Sequence, residues 1–203
     1  MAKSASRRRL PPEARREEIL LAARRLFSER PYTSVSTADV AEAAGVARSL
    51  VHHYFGGIRE LMLAVIAHGG ASLVDVRTAG PEVPLDERLP HNAAATLDVI
   101  SENRELWLAL AVYGASVDDP DMRALMKAAN EQFIQRTLAI NSDVISDTPT
   151  TRFVLRSYNA LATEATRAWL MGEQTREDTE RLLVTALRNM LLETIPELER
   201  KAR

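Results

Sequence analysis

The chain has 203 residues, 46% of them apolar, and its 26 Lys/Arg against 28 Asp/Glu give a formal net charge of −2; that is ample material for a buried core. It contains no cysteine, which excludes disulfides, thiolate zinc sites, iron–sulfur clusters and a cysteine nucleophile. It has no uninterrupted apolar run of roughly 18 residues, so no membrane span is expected, and the basic start MAKSASRRRL lacks the apolar run and cleavage site of a signal peptide, so a cytoplasmic location is expected.

Residues 12–30 predict a first helix. Pro11 and Pro12 sit at its start, where a missing N–H costs little, and Glu13 suits the positive end of the helix dipole. Ile19, Ala22, Ala23, Leu26 and Phe27 recur on one face. Pro31 is expected to end the helix. A second helix starts near Ser36, which forms with Asp39 a Ser-x-x-Asp variant of the capping box. Val40, Ala41 and Ala44 make its inner face, and Gly45 breaks it by taking a left-handed backbone. A third helix runs from Ala47 to Tyr54 and is closed by Gly56 and Gly57. Ile58, Leu61, Met62, Val65 and Ile66 mark a fourth, reaching Gly69–Gly70 or somewhat past them.

Thr78 to Pro90 holds Gly80, Pro81, Pro84 and Pro90 and reads as a loop. Helices are then expected at about 91–101, 103–116, 120–143, 150–171 and 176–194, the last ending before Pro196. No segment sustains the two-residue alternation of a strand. The fold class is therefore all-α, with about nine helices.

Two short helices joined by a glycine-containing turn, the second with a polar outer face, form a helix-turn-helix pattern. The second helix must be short and polar outward to enter a major groove about 12 Å wide. Val40, Ala41, Ala44, Val46 and Leu50 supply the apolar brace, leaving Arg48, Ser49, His52 and His53 facing outward. The charge distribution agrees. Residues 1–60 carry 11 Lys/Arg against 7 Asp/Glu, a net of +4, while residues 61–203 carry 15 against 21, a net of −6. A basic N-terminal end beside an acidic remainder points to an anion-binding module at that end.

Ser36 to Leu61 reads STADVAEAAGVARSLVHHYFGGIREL. This string resembles the signature of the TetR family of bacterial transcriptional regulators, matching it at Val40-Ala41, Ala44-Gly45-Val46, Tyr54-Phe55 and Glu60-Leu61. The resemblance spans roughly residues 12–61; beyond them the chain matches only in being helical. It implies a flexible basic arm at 1–10, an N-terminal three-helix DNA-binding domain at 11–57, and a larger C-terminal helical domain at 58–203 for effector binding and dimerisation.

The resemblance also implies site residues. Its DNA-binding positions are Ser36, Thr37, Ala47, Arg48, Ser49, His52, His53, Tyr54 and Arg59. Ser36 would cap the second helix and hydrogen-bond a phosphate. Arg48 and Ser49 would lie near base edges, with Arg48 suited to reading a guanine bidentately. His53 and Tyr54 lie nearer the end of the recognition helix, and Arg7, Arg8 and Arg9 could follow a phosphate strand. Three positions depart from the family pattern: Ala47 replaces a usual Ser, His52 a usual phosphate-binding Tyr, and Ile58 a usual Lys for which the adjacent Arg59 could substitute.

In the C-terminal domain the family implies an effector pocket. Its candidate lining is Ile66, Trp107, Leu110, Tyr113, Asn130, Phe133, Ile134, Tyr158 and Glu164, for a small, mostly apolar effector. The last two helices imply a homodimer through Leu155, Leu161, Ala162, Ala165, Trp169, Leu183, Leu187 and Met190. The expected partners are thus a double-stranded DNA operator, a small-molecule effector and a second copy of the chain, with no membrane. No Ser/His/Asp arrangement, phosphate loop or dinucleotide fingerprint is present, so no catalytic residue, cofactor or metal is expected. The function implied is a ligand-responsive repressor released from a near-palindromic operator. The rivals are a regulator of the same fold whose second domain binds a protein, and, more distantly, a helical enzyme.

Overall fold

The computed structural model describes residues 11–30, 34–74, 77–113 and 120–201, with backbone alone at 69–74, 109–110 and 112–113. The described residues are helical with intervening turns, and none of the helices is long and apolar enough to cross a membrane. The chain forms two compact units, one ending at His68 and the other starting at Gly69. The expected division at 57/58 is thereby displaced into the fourth helix.

In the first unit α1 spans Pro12–Glu29 and buries Ile19, Leu20, Ala22, Ala23 and Phe27. Arg30, which precedes Pro31, is extended at φ −155° and ψ 157°, the backbone that a following proline favours. α2 spans Thr37–Ala43 and α3 spans Arg48–Phe55; α1 packs on α2, and α2 on α3. The turn between α2 and α3 is a Schellman motif. Val46 N–H donates to the Ala41 carbonyl at 2.8 Å and Gly45 N–H to the Glu42 carbonyl at 3.0 Å. That geometry puts Gly45 at φ 63°, where a Cβ would be strained. α4 spans Ile58–Val74 and buries Leu61, Met62, Val65 and Ile66.

The second unit contains α5 (Leu85–Glu102), α6 (Arg104–Tyr113), α7 (Pro120–Ile140), α8 (Pro149–Leu170), α9 (Arg176–Asn189) and α10 (Ile195–Lys201), with a π turn at Met190–Thr194 joining the last two. α8 is central: α6, α7, α9 and α10 all pack against it, while α5 packs on α6 and α9. One apolar cluster joins Leu89, Ile134, Leu138, Ile145, Val154, Leu155, Leu191 and Ile195. A second joins Leu97, Tyr158 and Leu183, and Phe133 packs against both.

Two prolines behave differently from the sequence expectation. Pro90 was expected in the loop but lies inside α5, which starts at Leu85. Both Pro90 and Asp86, the residue whose carbonyl loses its helical donor, are exposed, so water can satisfy that carbonyl. Pro196 was expected to lie beyond the last helix, yet it is part of α10. A proline ring crowds the carbonyl four residues earlier; the wider π turn immediately before it makes room, so the helix continues. The remaining loop, residues 77–84, is clamped by Asn92, whose side chain accepts from Ala79 N–H at 2.7 Å and donates to Ala79 C=O at 3.0 Å.

Two residues expected at a dimer contact are buried inside the protomer. Leu155 has no exposed surface and Leu183 is 6% exposed. Each fills an intramolecular cluster and leaves little or no surface for a partner.

Candidate nucleic-acid interface

The first unit holds all nine expected DNA-contacting residues. Ser36 is the N-cap of α2. Its Oγ accepts from Asp39 N–H at 3.2 Å and donates to Asp39 Oδ2 at 2.7 Å, while Ser36 N–H donates to the same Oδ2 at 2.7 Å. The capping box expected from the sequence is therefore closed at both ends. These bonds from Ser36, with a smaller contribution from Arg30 at 3.5 Å, hold the Asp39 carboxyl below its ordinary range. The Ser36 hydroxyl proton is directed to Asp39, so a phosphate would compete with Asp39 for it.

α3 is two-sided. Val51 is fully buried and Phe55 is 8% exposed, and the Arg16 guanidinium lies 4.9 Å from the Phe55 ring centroid. On the outside, Ala47, Arg48, Ser49, His52 and His53 are exposed. Ala47 is the N-cap of α3 without a side-chain bond, as expected where a serine hydroxyl is missing. Tyr54 is half-buried, its ring edge-on to His53 at 5.4 Å. Arg59 opens α4 and pairs with Glu60 at 3.2 Å, which limits its reach toward a phosphate.

Three of the nine residues converge on one another. Arg48 Nε donates to Thr37 Oγ1 at 3.1 Å. Thr37 Oγ1 also lies 3.3 Å from His52 Nε2, and His52 Nδ1 lies 2.8 Å from the Gly56 carbonyl oxygen. A carbonyl only accepts, so Nδ1 carries the proton and donates to Gly56. In the neutral ring Nε2 is then the acceptor for the Thr37 hydroxyl. His52, expected to reach a phosphate, thus has both ring nitrogens bonded within the unit. Sequence reading missed this linkage. Its available signal was the spacing of Arg48 and His52, which puts them on one helical face; the Thr37 contact depends on how α2 crosses α3.

Several of the effector candidates have partners within the fold. Ile66 is buried and belongs to the first unit, the other candidates to the second. Trp107 is half-buried on α6; the side chains of Leu110 and Tyr113, like the arm at Arg7–Arg9, lie outside the described residues. Asn130 accepts from Asn159 Nδ2 at 3.0 Å. Phe133 stacks on Tyr158 at 6.1 Å, and Ile134 is 1% exposed in the first apolar cluster. The Tyr158 hydroxyl donates to the Leu183 carbonyl at 3.1 Å, so its polar end already has a partner inside the fold. Glu164 is exposed and ion-paired with Arg167 at 2.7 Å. An open groove of about 520 Å³ lies instead along α5 and α9, lined by Pro90, Arg176, Glu177, Glu180, Arg181, Val184 and Thr185.

Of the expected dimer residues, Leu161, Ala162, Ala165, Trp169, Leu187 and Met190 are half-buried against the second cluster. Sequence reading did not single out Phe153 and Leu192, which are 59% and 45% exposed, as contact residues; Leu182 is 47% exposed.

Comparison with known proteins agrees with this arrangement. Residues 19–65 match the profile described as bacterial regulatory proteins, tetR family. The chain is 26% identical over 169 residues to the HTH-type transcriptional activator FasR of Mycolicibacterium smegmatis, covering 82% of this chain and 77% of that protein. It is 33% identical over 111 residues to the HTH-type transcriptional regulator BetI of Brucella abortus, covering 52% of this chain and 56% of that one. Among solved structures, a tetR-family transcriptional regulator from Streptomyces coelicolor superposes with a TM-score of 0.77 at 27% identity, covering 95% of this chain and 89% of that one. With a braced helix-turn-helix at its N-terminal end and relatives of this kind along most of its length, the chain carries at residues 19–65 the DNA-binding segment of the tetR family of bacterial regulatory proteins and is a DNA-binding transcriptional regulator rather than an enzyme.

Proposed function

We propose that the chain is a homodimeric, ligand-responsive repressor that binds a near-palindromic operator through α3. The observation that carries this reading is the two-sidedness of α3: Val51 and Phe55 are buried, while Arg48, Ser49 and His53 stand exposed on the other side. Arg48 is the base-reading residue and favours a guanine; Ser49, His53 and Tyr54 position the backbone. The exposed apolar side chains Phe153, Leu182 and Leu192 support pairing of two copies through α8, α9 and the π turn. A two-fold pair presents two recognition helices to half-sites about one DNA turn apart.

The effector is a small, mostly apolar molecule held by the second unit, with the half-buried Trp107 as its aromatic contact. α4 spans Ile58–Val74 and directly follows α3 in the chain. An effector that tilts α4 alters the spacing of the recognition helices and shifts the population away from the bound state.

The test starts from a duplex selected by the wild-type protein out of a random-sequence pool. Arg48→Ala is expected to weaken binding to that duplex by about 1–3 kcal/mol and to relax specificity at one position. An equal loss on random duplex would make Arg48 a phosphate contact. Operator affinity unchanged at saturating ligand, across a panel of apolar compounds, would overturn the release mechanism. Activation is the second reading, favoured by the relative named a transcriptional activator; a reporter behind the selected operator distinguishes the two by the sign of its response.

A further inference from the structure

The bonds made by Arg48 within the first unit have a consequence for how it reads DNA. We infer that Thr37 and His52 are specificity-determining positioning residues. They hold the Arg48 guanidinium by its Nε, so that its terminal Nη1/Nη2 edge is the one presented to a base. This inference rests on the reading of Arg48 as the base-reading side chain.

The hydrogen bonds run in one direction through four groups. Arg48 Nε–H donates to Thr37 Oγ1 at 3.1 Å. The Thr37 hydroxyl, 3.3 Å from His52 Nε2, donates onward. His52 Nδ1–H donates to the Gly56 carbonyl at 2.8 Å. Both ends have only one possible sense, because a guanidinium never accepts and a carbonyl never donates. With the imidazole neutral, Nε2 accepts from the Thr37 hydroxyl and each donor meets an acceptor.

Three features suit this linkage to a base-reading arginine. First, a guanidinium has two bidentate edges, one through Nη1 and Nη2 and one that includes Nε. Occupying Nε leaves the terminal edge, whose two parallel donors match the O6 and N7 acceptors of guanine. Second, Thr37 is 6% exposed and branched at Cβ. Burial and the few alternatives at its χ1 restrict it, so its hydroxyl is a rigid anchor. Third, a free arginine side chain loses rotamer entropy when it is fixed. Anchoring the chain at Nε before DNA arrives removes part of that loss from the binding step. His52 in turn orients the hydroxyl, and Gly56, the C-cap of α3 at φ 85°, orients the ring.

The experiment uses full-length protein, the duplex selected by the wild type and its single-base-pair variants. Arg48→Ala first locates the base pair at which discrimination collapses. Thr37→Val keeps the shape of the side chain and removes the hydroxyl; it is expected to lower discrimination at that base pair roughly 3- to 10-fold and to leave discrimination at the others unchanged. Thr37→Ser is expected to restore most of it. His52→Phe, at an exposed position, should reduce discrimination at the same base pair by a smaller factor and serves if Thr37→Val does not fold. In the Arg48→Ala background neither substitution should change discrimination further. Wild-type discrimination in both variants, an equal loss at every base pair, or an undiminished loss in the Arg48→Ala background would overturn the positioning role while leaving Arg48 as base reader. Discrimination intact at every base pair in Arg48→Ala would overturn the reading of Arg48 itself, and the positioning role with it.

Discussion

Arg88 and Asp143 lie 55 positions apart, and Arg88 Nη2 donates to both carboxylate oxygens of Asp143, at 2.9 and 3.0 Å. The Arg88 side chain has no exposure, while that of Asp143 is 39% exposed. Arg88 Nη1 adds a bond to the Gly80 carbonyl at 3.1 Å, so one guanidinium joins α5, the 77–84 loop and the turn after α7. Its Nε is buried with no partner among the described residues. Asp143→Ala leaves a buried cation with its main partner gone and should lower unfolding free energy by roughly 3 kcal/mol. Arg88→Met removes charge and unpaired Nε together and should be much less harmful. Urea midpoints at unchanged m-values check the order; Arg88→Met as the worse variant would refute it.

The box at the start of α2 makes a prediction for acid. Ser36→Ala should lower stability by about 1 kcal/mol. Asp39 is held below the ordinary carboxylate value by its bonds from Ser36. The unfolded chain therefore takes up the proton first as the pH falls, and the Asp39 contribution, complete above that ordinary value of 3.8, is lost below it. Thermal melts of Asp39→Asn should show a flatter acid limb than the wild type.

Tyr158 makes the opposite prediction at the alkaline end. Burial pushes its phenol above the ordinary value of 10.0. The unfolded chain releases the proton first, so the Tyr158 contribution is intact below about pH 10 and is lost as the pH rises beyond it. The Tyr158 phenol should resist ionisation in ultraviolet titration until the fold opens. Tyr158→Phe should remove that delayed step and lower stability by about 1 kcal/mol, through loss of the bond to the Leu183 carbonyl.

Exposure separates the apolar residues of the last helices into two roles. Leu182→Glu and Phe153→Glu, on side chains 47% and 59% exposed, should shift the sedimentation profile from dimer toward monomer with little change in melting temperature. Leu155→Ala, at a site with no exposure, should lower stability by roughly 2–5 kcal/mol through the cavity it leaves. A monomer–dimer balance unchanged in both glutamate variants would place the interface elsewhere.

Much of the helix-turn-helix was legible because its determinants are local. Ser36 and Asp39 are three residues apart, and the Schellman turn at Gly45 closes between Ala41 and Val46. Pro90 and Pro196 were misread for a related reason. A proline ends a helix only where the lost donor or the ring clash cannot be relieved; an exposed carbonyl at Asp86 and a π turn before Pro196 relieve them, and neither is written in the neighbouring residues. The effector lining was read from helical spacing, which groups Asn130, Phe133 and Ile134 on α7 but does not say whether they face a cavity or each other. Stacking on Tyr158 and a bond to Asn159 account for two of them.

By itself the sequence determined an all-helical chain with a helix-turn-helix in its basic N-terminal end and an acidic remainder, because caps, periodicity and charge act within a few residues of one another. The tertiary structure decided which apolar side chains stay outside, burying Leu155 and Leu183 while leaving Phe153, Leu182 and Leu192 exposed. It also decided that Thr37 and His52 bond within the fold and anchor Arg48. α8 is apolar on more than one side, so only the packing of its neighbours selects the face left over. Thr37 and Arg48 belong to different helices, so only the crossing of α2 and α3 brings hydroxyl and guanidinium within bonding distance.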